Sequence, residues 1–136
     1  MNHESNIHEI LASTKTIALV GASNKPERDS HHVMEFLLSK GYRVIPVNPG
    51  LAGSTIHGQT VVASLADIHE PVDMVDIFRN TEDAAKTIDE ALALKDVLQL
   101  KTLWCQLGVV PFEAAQRAEN AGLTVVLDKC PAIEWR

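Results

Sequence analysis

Two cations and a run of small residues follow the first apolar segment of the chain. Gly21, Ala22 and Ser23 come directly after the segment TIALV, and Lys25 and Arg28 lie a few positions further on. Small residues let backbone N–H groups approach a ligand closely, while lysine and arginine form charge-assisted hydrogen bonds with phosphate oxygens. The types and spacing of these residues predict a binding site for a phosphate-bearing anion.

A helix is expected to begin where this loop ends. Ser30 is a typical N-cap residue, and the apolar positions Val33, Phe36 and Leu37 fit one face of a helix that ends at Gly41. The N-terminus of a helix carries free N–H groups and a partial positive charge, which favour a phosphate. Ser30 is therefore predicted to lie beside the same anion.

The ends of two further apolar segments supply the remaining candidates. Asn48 and Pro49 follow the segment YRVIPV, and Phe78 and Arg79 follow VDMVDI. Proline holds the residue before it extended, so Asn48 and Pro49 are expected to form a rigid wall that exposes backbone groups to a base. Phe78 is suited to pack against an adenine or an alkyl arm, and Arg79 adds a third cation.

These segments need a scaffold that brings their ends to one edge. Apolar stretches of strand length alternate with amphipathic ones, which is typical of a parallel sheet covered by helices. We therefore expect a single α/β domain over residues 1–136, with a short N-terminal helix within residues 1–14. Its expected architecture is a three-layer Rossmann-like fold with a five-stranded parallel sheet in the order 3-2-1-4-5. The predicted strands are Thr16–Val20, Tyr42–Val47, Val72–Ile77, Thr102–Leu107 and Thr124–Asp128.

This strand order has consequences for the site. It places a ligand outside the carboxyl ends of the strands, at the switch point between strands 1 and 4. It also places Val72–Ile77 at an edge, where Asp73 and Asp76 would discourage pairing with other chains. Helices are expected over Glu82–Leu94 and after Pro111, with one helical turn in the segment SLADI.

Charge and cysteine content argue against several classes of protein. A net charge of -6 is unfavourable for general nucleic-acid binding, which needs a broad basic surface. The N-terminal stretch contains Glu4 and Glu9 and no long apolar run, so we expect no membrane span and a cytoplasmic location. Cys105 and Cys130 have neither the spacing of a zinc site nor that of a disulfide framework. No metal site and no catalytic residues are predicted.

Other phosphate-binding motifs fit the first loop poorly. A dinucleotide site usually has the pattern GxGxxG and an acid at the end of the second strand, whereas Gly21 stands alone and Asn48 occupies that end. The carboxylates of a phosphoacceptor domain and a Walker lysine are also missing. An NAD(P)-binding protein is disfavoured but stays open as an alternative.

Five ordered segments resemble the motifs of a known family. They are GASNKPERDSHHV, GYRVIPVNP, VDMVDIFRN, WCQLGVV and AGLTVVLDKCPAIEW. In these segments the chain resembles the small stand-alone bacterial CoA-binding proteins, whose domain is similar to the CoA-binding domain of the succinyl-CoA synthetase α subunit. The resemblance runs from about Thr16 to Glu134. It implies coenzyme A as the ligand, with Gly21 to Ser30 around the phosphates and the ends of the second and third strands around the adenosine.

Two residues depart from the pattern of that family. Asp29 stands where proline is common, and a carboxylate there would weaken the binding of a nearby phosphate unless it pairs with a cation or caps the helix. Lys129 stands where arginine is frequent, which removes a bidentate contact.

The expected function is recognition of coenzyme A or acyl-CoA without catalysis by this chain itself. Two alternatives are an NAD(P)-binding oxidoreductase or redox sensor, and a CoA-binding subunit of an acyl-CoA ligase or transferase that needs a protein partner. Cys130 follows the fifth strand beside Lys129, and this position leads to the hypothesis that it exchanges with the thiol or disulfide of bound CoA.

Overall fold

The computed structural model describes residues 4–135, which fold around a five-stranded parallel sheet. Its strands are β1 (Thr16–Val20), β2 (Arg43–Val47), β5 (Met74–Ile77), β6 (Thr102–Cys105) and β7 (Thr124–Val126), and a separate hairpin contains β3 (Thr55–Ile56) and β4 (Gln59–Thr60). In the sheet the strands lie in the order β2-β1-β5-β6-β7. They are short and almost wholly buried, which explains why their sequences are continuous apolar runs.

Helices cover both faces of the sheet. They are α1 (Glu4–Ser13), α2 (Asp29–Ser39), α3 (Thr81–Ala93), α4 (Lys95–Leu98), α5 (Phe112–Asn120) and α6 (Pro131–Glu134), with short 3-10 turns at Pro49–Leu51 and Leu65–Asp67. On one face Ala18 and Val75 belong to a buried cluster with α3 and α5, and on the other Leu19 and Trp104 belong to a cluster with α1 and α2. The three-layer α/β fold predicted from the sequence is therefore confirmed.

The strand order agrees with the 3-2-1-4-5 pattern, but the segment at position 3 is not the one expected from the sequence. Val62 forms a single parallel bridge with Val47 on β2 and so takes the place of strand 3. β2, β1, β5 and β6 then occupy positions 2, 1, 4 and 5, and β7 adds one more strand. The segment after β2 has too short an apolar stretch to build a full strand, so the next long apolar run pairs with β1 instead.

The predicted edge position of Val72–Ile77 was therefore wrong. β5 pairs with β1 on one side and β6 on the other, so it is a central strand. Asp76 is fully buried there and does not guard an edge. Asp73 precedes the strand and accepts hydrogen bonds from the backbone N–H groups of Lys15 and Thr16 at 2.9 and 3.0 Å. Asp73 thus ties β5 to the start of β1.

Candidate functional site

An open cleft of about 860 Å³ lies at the carboxyl edge of the sheet, between the ends of β1, β2, β5 and β6. It is centred on the switch point, and the strands that flank this point are β1 and β5. The structure brings nine of the ten sequence-predicted site residues to this cleft and leaves Pro49 out of its lining. The nine are Gly21, Ala22, Ser23, Lys25, Arg28, Ser30, Asn48, Phe78 and Arg79.

Gly21 lets the first loop cross closely over the end of β5. Its φ is +89°, and a Cβ atom added to it would lie 2.1 Å from the backbone oxygen of Phe78. The N–H groups of Gly21 and Ala22 donate to the carbonyl of Val47, at 3.1 and 3.3 Å. The lone glycine therefore has a steric role in joining three strand ends, which differs from the role of a dinucleotide-binding glycine pattern.

Asn48 braces the loop from the end of β2. Its Nδ2 donates to the carbonyl of Ala22 at 2.8 Å, and its Oδ1 accepts from the N–H of Gly50 at 2.8 Å. Pro49 begins the 3-10 turn that follows and is not among the residues that line the cleft. The two residues therefore support the wall of the cleft, and the Asn48 amide is already used by the backbone.

The N-terminus of α2 opens into the cleft, but its cap differs from the prediction. Arg28 is the N-cap residue, and Asp29 is the first residue of the helix. Ser30, predicted as the cap, is buried within the first turn. No side chain in the described part of the chain caps this helix end, and the N–H groups of Asp29 and Ser30 have no acceptor among the described residues, so they can meet an anion.

The rim of the cleft carries charges that the rest of the described chain does not neutralise. Lys25, Arg28 and Arg79 form no ion pair with any carboxylate between residues 4 and 135. Glu27 and Asp29 also line the cleft, and they too have no cationic partner in this part of the chain. Three cations therefore face two carboxylates, which leaves a modest positive balance for a polyanion.

Gln106 lines the cleft but is not among the site residues predicted from the sequence. Its side chain is buried, and its Oε1 accepts no hydrogen bond from the described residues. A buried acceptor without a donor is unfavourable, so a ligand that donates a hydrogen bond there would remove this cost. The sequence contained one usable signal, because Gln106 follows β6 and strand ends meet at this edge.

Asp76 lies within the central strand and outside the cleft lining. Both of its carboxylate oxygens lack a hydrogen-bond partner among the described residues. Burial raises the pKa of Asp76 well above its usual range. Burial and the nearby Asp76 also raise the pKa of Cys105 to about 12, which keeps this thiol protonated.

Cys130 is buried at the start of α6 and does not line the cleft. It packs in the same apolar cluster as Trp104, whose indole N–H donates to the carbonyl of Lys129 at 2.8 Å. This placement does not support the hypothesis that Cys130 exchanges with a CoA thiol.

Within residues 4–135 no group of three or more His, Cys, Asp or Glu side chains is arranged to hold a metal ion. The helices of this region are also too short or too polar to cross a bilayer.

Comparison with known proteins gives consistent results. A family model described as CoA binding domain matches residues 15–136. The uncharacterized protein YneT of Bacillus subtilis (strain 168) is 37% identical over 127 residues, which cover 93% of this chain and 90% of YneT.

Solved structures agree with this match. A structure from Thermus thermophilus has a TM-score of 0.89 at 37% identity, covering 98% of this chain and 96% of that chain. A hypothetical protein from Pyrococcus horikoshii OT3 has a TM-score of 0.88 at 36% identity, covering 98% of this chain and 89% of that chain. The fold and the arrangement of strand ends are therefore shared with these proteins.

Proposed function

The chain belongs to the CoA binding domain family, and on that premise we propose that it binds coenzyme A in the cleft at the carboxyl edge of the sheet. This proposal rests on one observation at the switch point: the N-terminus of α2 and three cations lie together there, and within residues 4–135 neither a side-chain cap nor a carboxylate partner satisfies them. Coenzyme A carries a pyrophosphate and a ribose phosphate, so it is a polyanion of the kind such a site favours.

Each part of the cleft has a distinct role in this proposal. The first N–H groups of α2 and the side chains of Lys25 and Arg28 bind the phosphates. Phe78 and the braced wall at Asn48 lie against the adenosine, and Arg79 supplies the third cation. Gly21 is needed because the loop must pass over the end of β5.

The proposal assigns recognition and no reaction to this chain. Cys105 and Asp76 are fully buried and do not line the cleft. Ser23 and Ser30 do line it, but its described lining contains no histidine, and neither hydroxyl is hydrogen-bonded to a carboxylate of the described residues. We therefore assign no nucleophile with an adjacent base. Reduced, buried cysteines fit a cytosolic location, which we include in the proposal and which cell fractionation would test.

Isothermal titration calorimetry with coenzyme A, dephospho-CoA, NAD and NADP tests the proposed ligand. We expect heat of binding with coenzyme A, weaker binding of dephospho-CoA because it lacks one phosphate, and no comparable binding of NAD or NADP. Binding of NAD or NADP without binding of coenzyme A would replace this proposal by the NAD(P) alternative. A thermal-shift series gives an independent readout, because a ligand that binds only the folded state raises the unfolding temperature.

A further inference from the structure

Four large apolar side chains of the described chain are strongly exposed, and two of them lie five positions apart after the end of β6. Leu107 is in the turn that follows β6 and is 58% exposed, and Phe112 is the first residue of α5 and is 63% exposed. Val97 and Ile133 lie elsewhere, in α4 and α6. An exposed apolar side chain in the lining of a binding cleft is available for contact with an apolar part of a ligand.

Leu107 belongs to the lining of the cleft itself. Together with the buried Val109, it forms an apolar end near β6. The opposite end, near β2, is lined by Asn48, Gly50 and the half-buried Leu51. The cations Lys25 and Arg28 lie on the loop after β1. The end near β6 also contains the Gln106 amide, and Leu107 is the most exposed apolar side chain of the described lining.

The turn that presents Leu107 is fixed by hydrogen bonds. The N–H of Val109 donates to the carbonyl of Gln106 at 3.0 Å, which places Leu107 at the corner of a tight turn. Gly108 has a φ of +78° and donates its N–H to Oδ1 of Asp128 at 2.6 Å. The exposure of Leu107 is therefore a property of an anchored turn.

We infer that the ligand is an acyl-CoA and that Leu107 receives its acyl chain, with Phe112 extending the apolar surface. This inference rests on the proposed binding of coenzyme A. The phosphates bind near Lys25 and Arg28, and the thioester end of the ligand reaches the apolar end near β6. Transfer of a methylene group from water to an apolar surface favours binding by about fourfold when it is fully buried.

The experiment measures the affinities of coenzyme A, acetyl-CoA and octanoyl-CoA by calorimetry with the wild-type protein and the variants Leu107→Ser, Phe112→Ser and Val97→Ser. Val97 is the matched control, because it is 75% exposed and does not line the cleft. We expect octanoyl-CoA to bind the wild type roughly tenfold more tightly than acetyl-CoA. This gain in affinity is smaller than full burial of the octanoyl chain would give, because the surface around Leu107 is open to solvent on one side. Leu107→Ser should reduce this ratio to about threefold or less and Phe112→Ser should reduce it partly. Val97→Ser should leave it unchanged.

The three ligands separate the inference from the function on which it rests. If coenzyme A does not bind, the proposed function itself fails. If coenzyme A binds but the octanoyl chain adds no affinity, or Leu107→Ser leaves its contribution unchanged, the acyl site is wrong and CoA binding stands. If Leu107→Ser weakens all three ligands by the same factor, Leu107 contacts the CoA moiety and the inference is again overturned. Because these residues are exposed, circular dichroism should show that the variants fold.

Discussion

Arg28 has two roles: its backbone begins α2, and its side chain lines the cleft. Its carbonyl accepts from the N–H of His31 at 3.1 Å as α2 begins, and its side chain lines the cleft without a carboxylate partner in the described chain. Replacing Arg28 by alanine removes the guanidinium and leaves the backbone in place. A hydrogen bond to a charged group contributes about 1.5–3 kcal/mol, so the Kd for coenzyme A should rise roughly ten- to a hundredfold.

The matched control for this variant is Arg117→Ala, which removes an arginine that pairs with Asp89 away from the cleft. Calorimetry of both variants should show a weaker Kd for Arg28→Ala alone. If both variants bind as the wild type does, Arg28 does not contact the ligand.

Asp76 gives the protein a specific dependence of stability on pH. Its pKa in the folded state is raised because the carboxyl group is buried, whereas the unfolded chain has an ordinary value of about 3.9. Above that value the unfolded chain releases the proton and the folded chain keeps it, so the free energy of unfolding falls as pH rises. The slope is at most about 1.4 kcal/mol per pH unit for one proton.

The variant Asp76→Asn removes this proton equilibrium while keeping the shape of the side chain. Urea unfolding between pH 5 and pH 8 should show that the variant gains stability relative to the wild type as pH rises. Groups with lowered pKa, such as Glu70 beside Arg43, have lost their protons in both proteins over this range and cancel in the comparison. A constant difference between the two proteins would mean that Asp76 is ionised in the folded state.

The connection between β1 and α2 depends on one glycine for its path. Gly21→Ala should destabilise the protein strongly, because the new Cβ would clash with the backbone of Phe78 at 2.1 Å in addition to the strain of a φ of +89°. Gly53 is the matched control, since it has the same φ but no atom within 4 Å of an added Cβ.

The left-handed backbone alone costs about 1–2 kcal/mol, so Gly53→Ala should lose about that much. Gly21→Ala should lose more and should also weaken coenzyme A, because the loop that carries Lys25 has to move. Urea unfolding measures the first effect and calorimetry the second. Equal losses of stability in the two variants would show that the close approach to Phe78 is relieved cheaply.

The elements with strong local signals were predictable from the sequence. The strand Thr16–Val20 has the bounds expected for it, and Gly41 follows α2 with a φ of +93°. The position of Val72–Ile77 in the sheet was not predictable from its own residues. The strand with which Val72–Ile77 pairs depends on the preceding segment, in which a single residue, Val62, forms a bridge to β2.

The same distinction applies to the candidate site. Strand ends meet at one edge whatever the exact order, so the position of a residue after a strand was enough to select most of the lining. The cap of α2 and the orphan acceptor of Gln106 depend on side-chain packing, which a single sequence does not encode locally. The local sequence pattern was therefore enough to identify the binding loop, whereas the hydrogen bonds and burial of each side chain in it depend on tertiary contacts.

The two apolar clusters lie on opposite faces of one sheet. The helices in these clusters therefore pack on the same strands whose ends form the cleft. α1 contributes Leu11 to the cluster that also contains Trp104. The hydroxyl of Tyr42, the residue before β2, donates to the carbonyl of Leu11 at 2.5 Å. α2, whose N-terminus opens into the cleft, contributes Met34 to the same cluster. Although α1 lies outside the βαβ units, it is part of the core that supports the binding loop.

Leu11→Ala should therefore destabilise the whole molecule and not α1 alone. Leu11 is buried, and a truncation of this kind typically costs about 2–5 kcal/mol. Val97→Ala is the control, because this side chain is exposed and should change stability by less than about 0.5 kcal/mol. Urea unfolding followed by far-ultraviolet circular dichroism and by tryptophan fluorescence should give one coincident transition, shifted to lower urea in Leu11→Ala. The fluorescence reports Trp104 in the core and Trp135 beside Lys40. If the helical signal is lost before the fluorescence changes, α1 unfolds separately and the chain does not behave as one cooperative domain.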